Sequence, residues 1–156
     1  MKLYLIQHGD AVDESVNPDR PLSETGIHDV EQVGAFLSRA GVSVREICHS
    51  GKTRARQTAE RFAHHMAGGR DVVACDGLKP KDVVEPFCDK LESRDRDLAV
   101  VGHLPNLWNM TARLLTGKEE ATPVAFQKGG VVCLERDDDG WRLCWMVVPA
   151  LLAANA

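Results

Sequence analysis

The chain has 156 residues, 44% of them hydrophobic and 27% charged, with a net charge of −4. That length suits one core and a single domain over residues 1–156, and the acidic balance argues against nucleic acid as a partner, because phosphate backbones are met by a basic face. No apolar run reaches the ~18 residues of a membrane span, residues 3–6 are too short for the apolar part of a secretory leader, and five cysteines without a C-x-x-C pair fit the reducing cytoplasm.

Residues 3–7, L-Y-L-I-Q, read as a first strand. Residues 13–21 are polar, contain two prolines and form a loop. Ser23 can cap a helix whose apolar positions are Ile27, Val30, Val33 and Leu37, with Gly41 as its stop. Residues 44–49 read as a second strand. A helix follows from about Lys52, with Ala55, Ala59, Phe62 and Met66 on one face, and Gly68-Gly69 ends it. Residues 72–75 form a short strand, and residues 82–93 a helix opened by Asp82. Residues 98–102 carry four apolar residues and a glycine, the pattern of a strand buried on both faces. Pro105 suits the first turn of a helix carrying Leu107, Met110, Leu114 and Leu115, which Gly117 stops. Residues 131–136 and 141–147 flank an Asp137-Asp138-Asp139-Gly140 turn and form a closing β-hairpin. Pairing Asp137 with Gly140 sets Cys133 opposite Cys144 on the same face, where two reduced cysteines acting as small hydrophobes are expected. Trp108, Trp141 and Trp145 read as packing residues. Strands alternating with helices predict an α/β three-layer sandwich. Its sheet has about six strands, mostly parallel, and the hairpin makes it mixed.

In such sheets ligands bind beyond the carboxyl ends of the strands. His8 follows the first strand, residues 50–56 with Ser50 and Arg54 follow the second, and His103 precedes a helix start at Leu104. Two histidines and an arginine on one rim point to an anionic substrate, and the free amides of a helix start favour an oxyanion. Ser50-Gly51-Lys52-Thr53 imitates the end of a nucleotide-binding P-loop, but that pattern needs a glycine where Glu46 stands. His8, Asp10, His64 and His65 have no common zinc spacing, so no metal and no cofactor are expected. His64 and His65 read as solvated surface residues. Asp76 and Asp82 read as a turn residue and a helix cap.

Four segments then fall in order: Q-H-G (7–9) after a strand, P-L-S-E-T-G (21–26), S-G-K-T-R-A-R-Q-T (50–58) and V-G-H-L-P-N-L (101–107). Together they resemble the histidine phosphatase superfamily, and the wording D-R-P-L-S-E-T-G (19–26) is similar to its SixA-type phosphohistidine phosphatase branch. The resemblance implies a phosphoglycerate mutase-like fold without metal. It implies His8 as the nucleophile that takes the phosphoryl group, with Arg54 and His103 binding phosphoryl oxygens. Gln7, Gly9, Arg20, Ser50 and Leu104 are the further phosphate-binding candidates, with Gly9 leaving room for phosphate beside the backbone. The family motif is R-H-G, whereas this chain has Q-H-G. Gln7 donates through its amide but carries no charge. Arg20 is the candidate to supply that charge, with Lys52 and Arg56 behind it.

Many members of the family also hold a carboxylate over the leaving oxygen. Asp76 and Asp82 give no clear match. A site without a strong acid suits a P–N bond better than an ester, since protonated imidazole leaves readily. The expected substrate is therefore a phosphohistidine-bearing phosphocarrier or signalling protein. A small phosphate ester, or phosphate binding without turnover, stands as the alternative. A monomer or weak dimer is expected.

Overall fold

The computed structural model of the protein describes residues 1–153. Its elements in chain order are β1 (Lys2–Gln7), α1 (Glu24–Arg39), β2 (Ile47–His49), α2 (Thr53–Met66), β3 (Val73–Ala74), α3 (Glu85–Glu92), β4 (Leu98–Gly102), α4 (Asn106–Thr116), β5 (Val131–Asp137), β6 (Gly140–Val147) and α5 (Pro149–Ala153). The strands form one sheet of six in the order β3-β2-β4-β1-β5-β6. Pairs β3–β2, β2–β4 and β4–β1 are parallel, and β1–β5 and β5–β6 antiparallel. The sheet is therefore mixed, and β5 alone runs against the other strands.

Alternation along β1 divides the core. Tyr4 and Ile6 pack with Val30, Val33, Leu37, Ala59 and Phe62 of α1 and α2, whereas Leu3 and Leu5 pack with Phe87, Leu91, Leu107 and Met110 of α3 and α4. β4 repeats this, sending Ala99 and Val101 one way and Leu98 and Val100 the other. Each central strand thus buries both faces, the arrangement that makes a parallel strand read as an unbroken apolar run. The result is the expected three-layer sandwich.

β1 and β4 are neighbours, but the chain leaving β1 enters α1 on one face and the chain leaving β4 enters α4 on the other. That divergence opens a crevice at their carboxyl ends, the switch point where α/β sheets bind ligands. Ser23 caps α1, its Oγ accepting the Gly26 N–H at 3.0 Å. Gly117 ends α4 in the left-handed conformation, φ 73°.

Several expected boundaries shift. β2 begins at Ile47 rather than at residue 44, because the Val44 N–H is taken by the Met66 carbonyl at the end of α2. α3 begins at Glu85, and Asp82 is not its cap: the carboxylate instead accepts the Lys79 N–H at 3.0 Å. The hairpin closes with Asp137 opposite Gly140, but a bulge between Cys133 and Leu134 moves the register, so Cys133 faces Trp145 and Leu134 faces Leu143. Cys144 is then the extra residue, exposed and free, and Cys133 is buried and free. His65 is not a solvated residue. Its Nε2 lies 2.6 Å from Glu31 Oε2, tying α2 to α1, while His64 is exposed. Tryptophan packing holds at Trp145, whose ring is 5.9 Å from Tyr4, and at Trp141, which lies under the Arg136 guanidinium.

Candidate active site

The register Gln7↔Gly102 brings the next residue of each strand, His8 and His103, side by side, with ring centroids 4.9 Å apart. Both are buried. Ser50 follows β2, the other neighbour of β4, and its Oγ lies 2.6 Å from His103 Nε2. Arg54, in the first turn of α2, donates its Nε–H to His8 Nε2 at 3.3 Å. His8, Ser50, Arg54 and His103 therefore converge on one rim from three strand ends and a helix start.

The bonds fix the state of His8. Its Nδ1 is 2.7 Å from the Gly9 carbonyl, which can only accept, so Nδ1 carries the ring proton. Arginine can only donate, so Nε2 holds a lone pair. A neutral imidazole with its Nε2 lone pair facing a cation has the form that a nucleophile of phosphoryl transfer requires. Burial pushes the imidazole down to about 4, the bond to Gly9 opposes this, and the charges of Arg54, Lys128 and Arg20 reinforce it. His103 is pushed down to about 3 by burial and then by His8, Arg54, Lys52 and Arg20. Ser50 Oγ also accepts the Lys52 N–H at 3.3 Å. His103 Nδ1 is buried and has no partner among the described residues.

The side-chain charges that act most strongly on the two rings are cationic: Arg54, Lys128 and Arg20 on His8, and Arg54, Lys52 and Arg20 on His103. Arg54 itself is lowered by burial and by the neighbouring Arg20 charge. Guanidinium groups gathered around neutral rings form a site for a multiply charged anion, since an oxyanion relieves their mutual repulsion.

The remaining candidates divide. Arg20 faces the site electrostatically, with its Nε–H donated to the Val12 carbonyl at 3.2 Å. Lys52 acts on His103. Arg56 points away, pairing with Glu60 at 2.7 Å on the exposed face of α2. Leu104 packs its side chain on the α3–α4 core, and the Leu107 N–H at the helix start is consumed by the His103 carbonyl at 2.9 Å. Gly9 has a different reason from the expected one. A Cβ there would lie 2.9 Å from Val30 Cγ2 and 3.0 Å from Leu22 Cδ2, so the glycine admits the packing of α1 and not the phosphate. Ser50-Gly51-Lys52-Thr53 is no P-loop: Ser50 is bound to His103, and Glu46 is paired with Arg94 at 2.7 Å.

Residues outside the predicted set complete the site. Thr58 Oγ1 accepts the Gly9 N–H at 3.0 Å and donates to the Arg54 carbonyl at 2.7 Å, locking α2 to the turn after β1. Thr58 lies in the R-Q-T wording, where its position one turn after Arg54 was the available signal. Asp10 accepts from Ser23 Oγ at 2.7 Å and pairs with Lys128 Nζ at 2.8 Å. Lys128 lies in the connection from α4 to β5, which carries no motif.

The description of the histidine phosphatase superfamily, branch 1, matches residues 3–83. The chain belongs to the histidine phosphatase superfamily. An uncharacterized protein of Picosynechococcus sp. is 31% identical over 141 residues, covering 86% of this chain and 84% of that protein. The mitochondrial serine/threonine-protein phosphatase PGAM5 of Homo sapiens is 33% identical over 85 residues, which are 54% of this chain but only 29% of PGAM5. In fold the chain is similar to the protein histidine phosphatase SixA complexed with tungstate, with a TM-score of 0.86 and 23% identity over 97% of this chain and 99% of that one. No helix among the described residues is long and apolar enough to cross a membrane.

Proposed function

We propose that this phosphatase forms a covalent phosphohistidine on His8 and takes the phosphoryl group from phosphohistidine in a phosphocarrier or signalling protein. The observation that carries the reading is the set of cations, Arg54, Arg20, Lys52 and Lys128, whose charges act on the paired histidines. Such a site binds and orients a phosphoryl group, and the Asp10 carboxyl near it is held below the usual carboxylate range by Lys128 and Ser23, which makes it a poor acid for an alkoxide leaving group.

In the first step His8 Nε2 attacks phosphorus along the line of the scissile bond. The P–N bond to the substrate imidazole breaks, and that ring leaves neutral once protonated. Arg54, Arg20 and His103 meet the equatorial oxygens, where positioning and positive charge supply most of the catalysis. The bond formed is of the same kind as the bond broken, so the transfer is nearly balanced in energy. Water then attacks phosphorus, phosphate leaves, and Nε2 regains its lone pair.

A second reading, hydrolysis of phosphoserine or phosphothreonine esters, draws on the partial identity to PGAM5.

The test is side-by-side incubation with a phosphohistidine carrier protein, a phosphoserine peptide and p-nitrophenyl phosphate, with trapping of the phosphoenzyme. Faster transfer from the carrier protein, through an acid-labile phosphoenzyme, is expected. Turnover of the esters with an inert carrier would move the assignment to a phosphomonoesterase. Anion binding without turnover of any substrate would make the protein a phosphate-binding module.

A further inference from the structure

We propose that Lys128 supplies the cation missing at Gln7 and binds the phosphoryl oxygens from the β1 side of the site. The inference rests on the phosphate-pocket reading above and adds a binding residue to it.

Gln7 is buried, uncharged, and its Oε1 has no partner among the described residues. Its backbone is nevertheless the anchor of the loop that carries Lys128. The Gly129 N–H is shared between the Gln7 carbonyl at 3.0 Å and the His8 carbonyl at 3.3 Å. The lysine is therefore fixed by its neighbour to the two residues where a charge is absent and where the reaction occurs. The side chain is fixed at its far end as well. Nζ lies 2.8 Å from Asp10 Oδ1, and Asp10 is itself held by Ser23 Oγ at 2.7 Å. Asp10 stands two residues after His8, so the ion pair holds the lysine beside the turn that carries His8.

Lys128 is half exposed, and its ammonium has N–H donors beyond the one given to Asp10, so it can hold Asp10 and an incoming oxyanion together. Its charge already reaches the His8 ring, where it opposes protonation. Asp10 has a matching part: it positions the lysine and balances its charge while the site is empty. An ammonium is a point charge on a flexible stem and grips phosphate without the bidentate fork of arginine.

The experiment is titration of orthovanadate into wild type, Lys128→Met, Lys128→Arg, Gln7→Arg and the Gln7→Arg/Lys128→Met double variant, at low and at high ionic strength. Lys128→Met should weaken vanadate about three- to tenfold, the scale of one partly solvated charged contact. Lys128→Arg should retain wild-type affinity. The loss should shrink at high salt, as a charge effect requires and a merely structural one does not. In the Gln7→Arg background the loss should nearly vanish, because the restored guanidinium takes over. An effect of Lys128→Met under twofold, or an equal loss with and without Gln7→Arg, would overturn the inference while leaving the phosphatase assignment untouched. Wild type that binds no vanadate would remove the phosphate pocket and this inference with it. Failure of the phosphohistidine substrate shows separately, in the carrier-protein assay.

Discussion

Arg54 Nε lies 3.3 Å from His8 Nε2 and donates its N–H to it, so the cation rests on the atom proposed to attack phosphorus. The guanidinium covers that nitrogen with a single side chain. A bound phosphoryl group gives it oxygens to grip, and the lone pair is released toward phosphorus. The roles of the two residues are therefore separable. His8→Ala should abolish the phosphoenzyme altogether. Arg54→Ala should leave it detectable but weaken vanadate binding and slow its formation by roughly ten- to a hundredfold, the loss of one charge-assisted contact. Rapid-quench trapping with labelled carrier protein checks both. A phosphoenzyme persisting in His8→Ala would remove His8 as nucleophile.

Most of the fold was legible because its central strands bury both faces. Residues 98–102 could be read to the residue, and β1 missed only the exposed Lys2. The site was legible where each chemical group follows a strand directly, as His8, Ser50 and His103 do. What could not be read was set by partners distant in sequence. Val44 leaves β2 because Met66 takes its N–H, Asp82 serves a turn rather than a helix, and the bulge at Cys133 leaves no trace in the alternation of β5. Lys128 is the plainest case. Its loop has no periodicity, and only the tertiary bond from Gly129 to Gln7 brings it to the site.

The segment Gly9–Gly26 depends on backbone approach, and two glycines in it should respond differently to alanine. At Gly26 a Cβ would fall 2.1 Å from the Asp10 carbonyl oxygen, a backbone atom that cannot rotate aside. At Gly9 the first obstacles are the side-chain ends of Val30 and Leu22, at 2.9 and 3.0 Å, which can give a few tenths of an ångström. Gly9→Ala should cost about 1–2 kcal/mol, and Gly26→Ala about 3 kcal/mol or more, at the top of the overpacking range. Urea denaturation orders them. Equal losses, or a larger one at Gly9, would contradict the packing described.

Stability should fall on mild acidification because of the paired histidines. Burial and surrounding cations hold His8 near 4 and His103 near 3, both below the ordinary 6.5. The unfolded chain therefore takes up these protons first as pH falls, which favours unfolding. Stability is full above pH 6.5 and declines as pH drops from 6.5 toward 4. Between 6.5 and 5 few carboxylates titrate, so the slope there belongs mainly to histidines. His103→Gln should flatten the slope of unfolding free energy against pH in that window. An unchanged slope would mean the ring is not held neutral by the fold.

Arg20 joins strain to charge, and the two can be separated by substitution. It is the one non-glycine residue with a positive φ, 47°, among the described residues. A side chain in the left-handed region costs about 1 kcal/mol, and such strain gathers at functional sites because the surroundings hold it there. Here the holding contacts are its own N–H bond to the Asn17 carbonyl at 3.0 Å and its Nε–H bond to Val12 at 3.2 Å. Their effect is to bring its charge to bear on Arg54 and both histidines. Arg20→Ala keeps the strain and loses the charge, whereas Arg20→Gly loses both. The glycine variant should be more stable than the alanine variant by about 0.5–1 kcal/mol. Both should bind vanadate more weakly than wild type, by the same factor of roughly three to ten, because the same cation is gone. Arg20→Lys should recover part of that affinity. Chemical denaturation and vanadate titration on the same preparations decide the matter. If Arg20→Gly binds vanadate as wild type does, Arg20 is a loop residue only, and the anion shell is built by Arg54 and the histidines with whatever Lys128 adds.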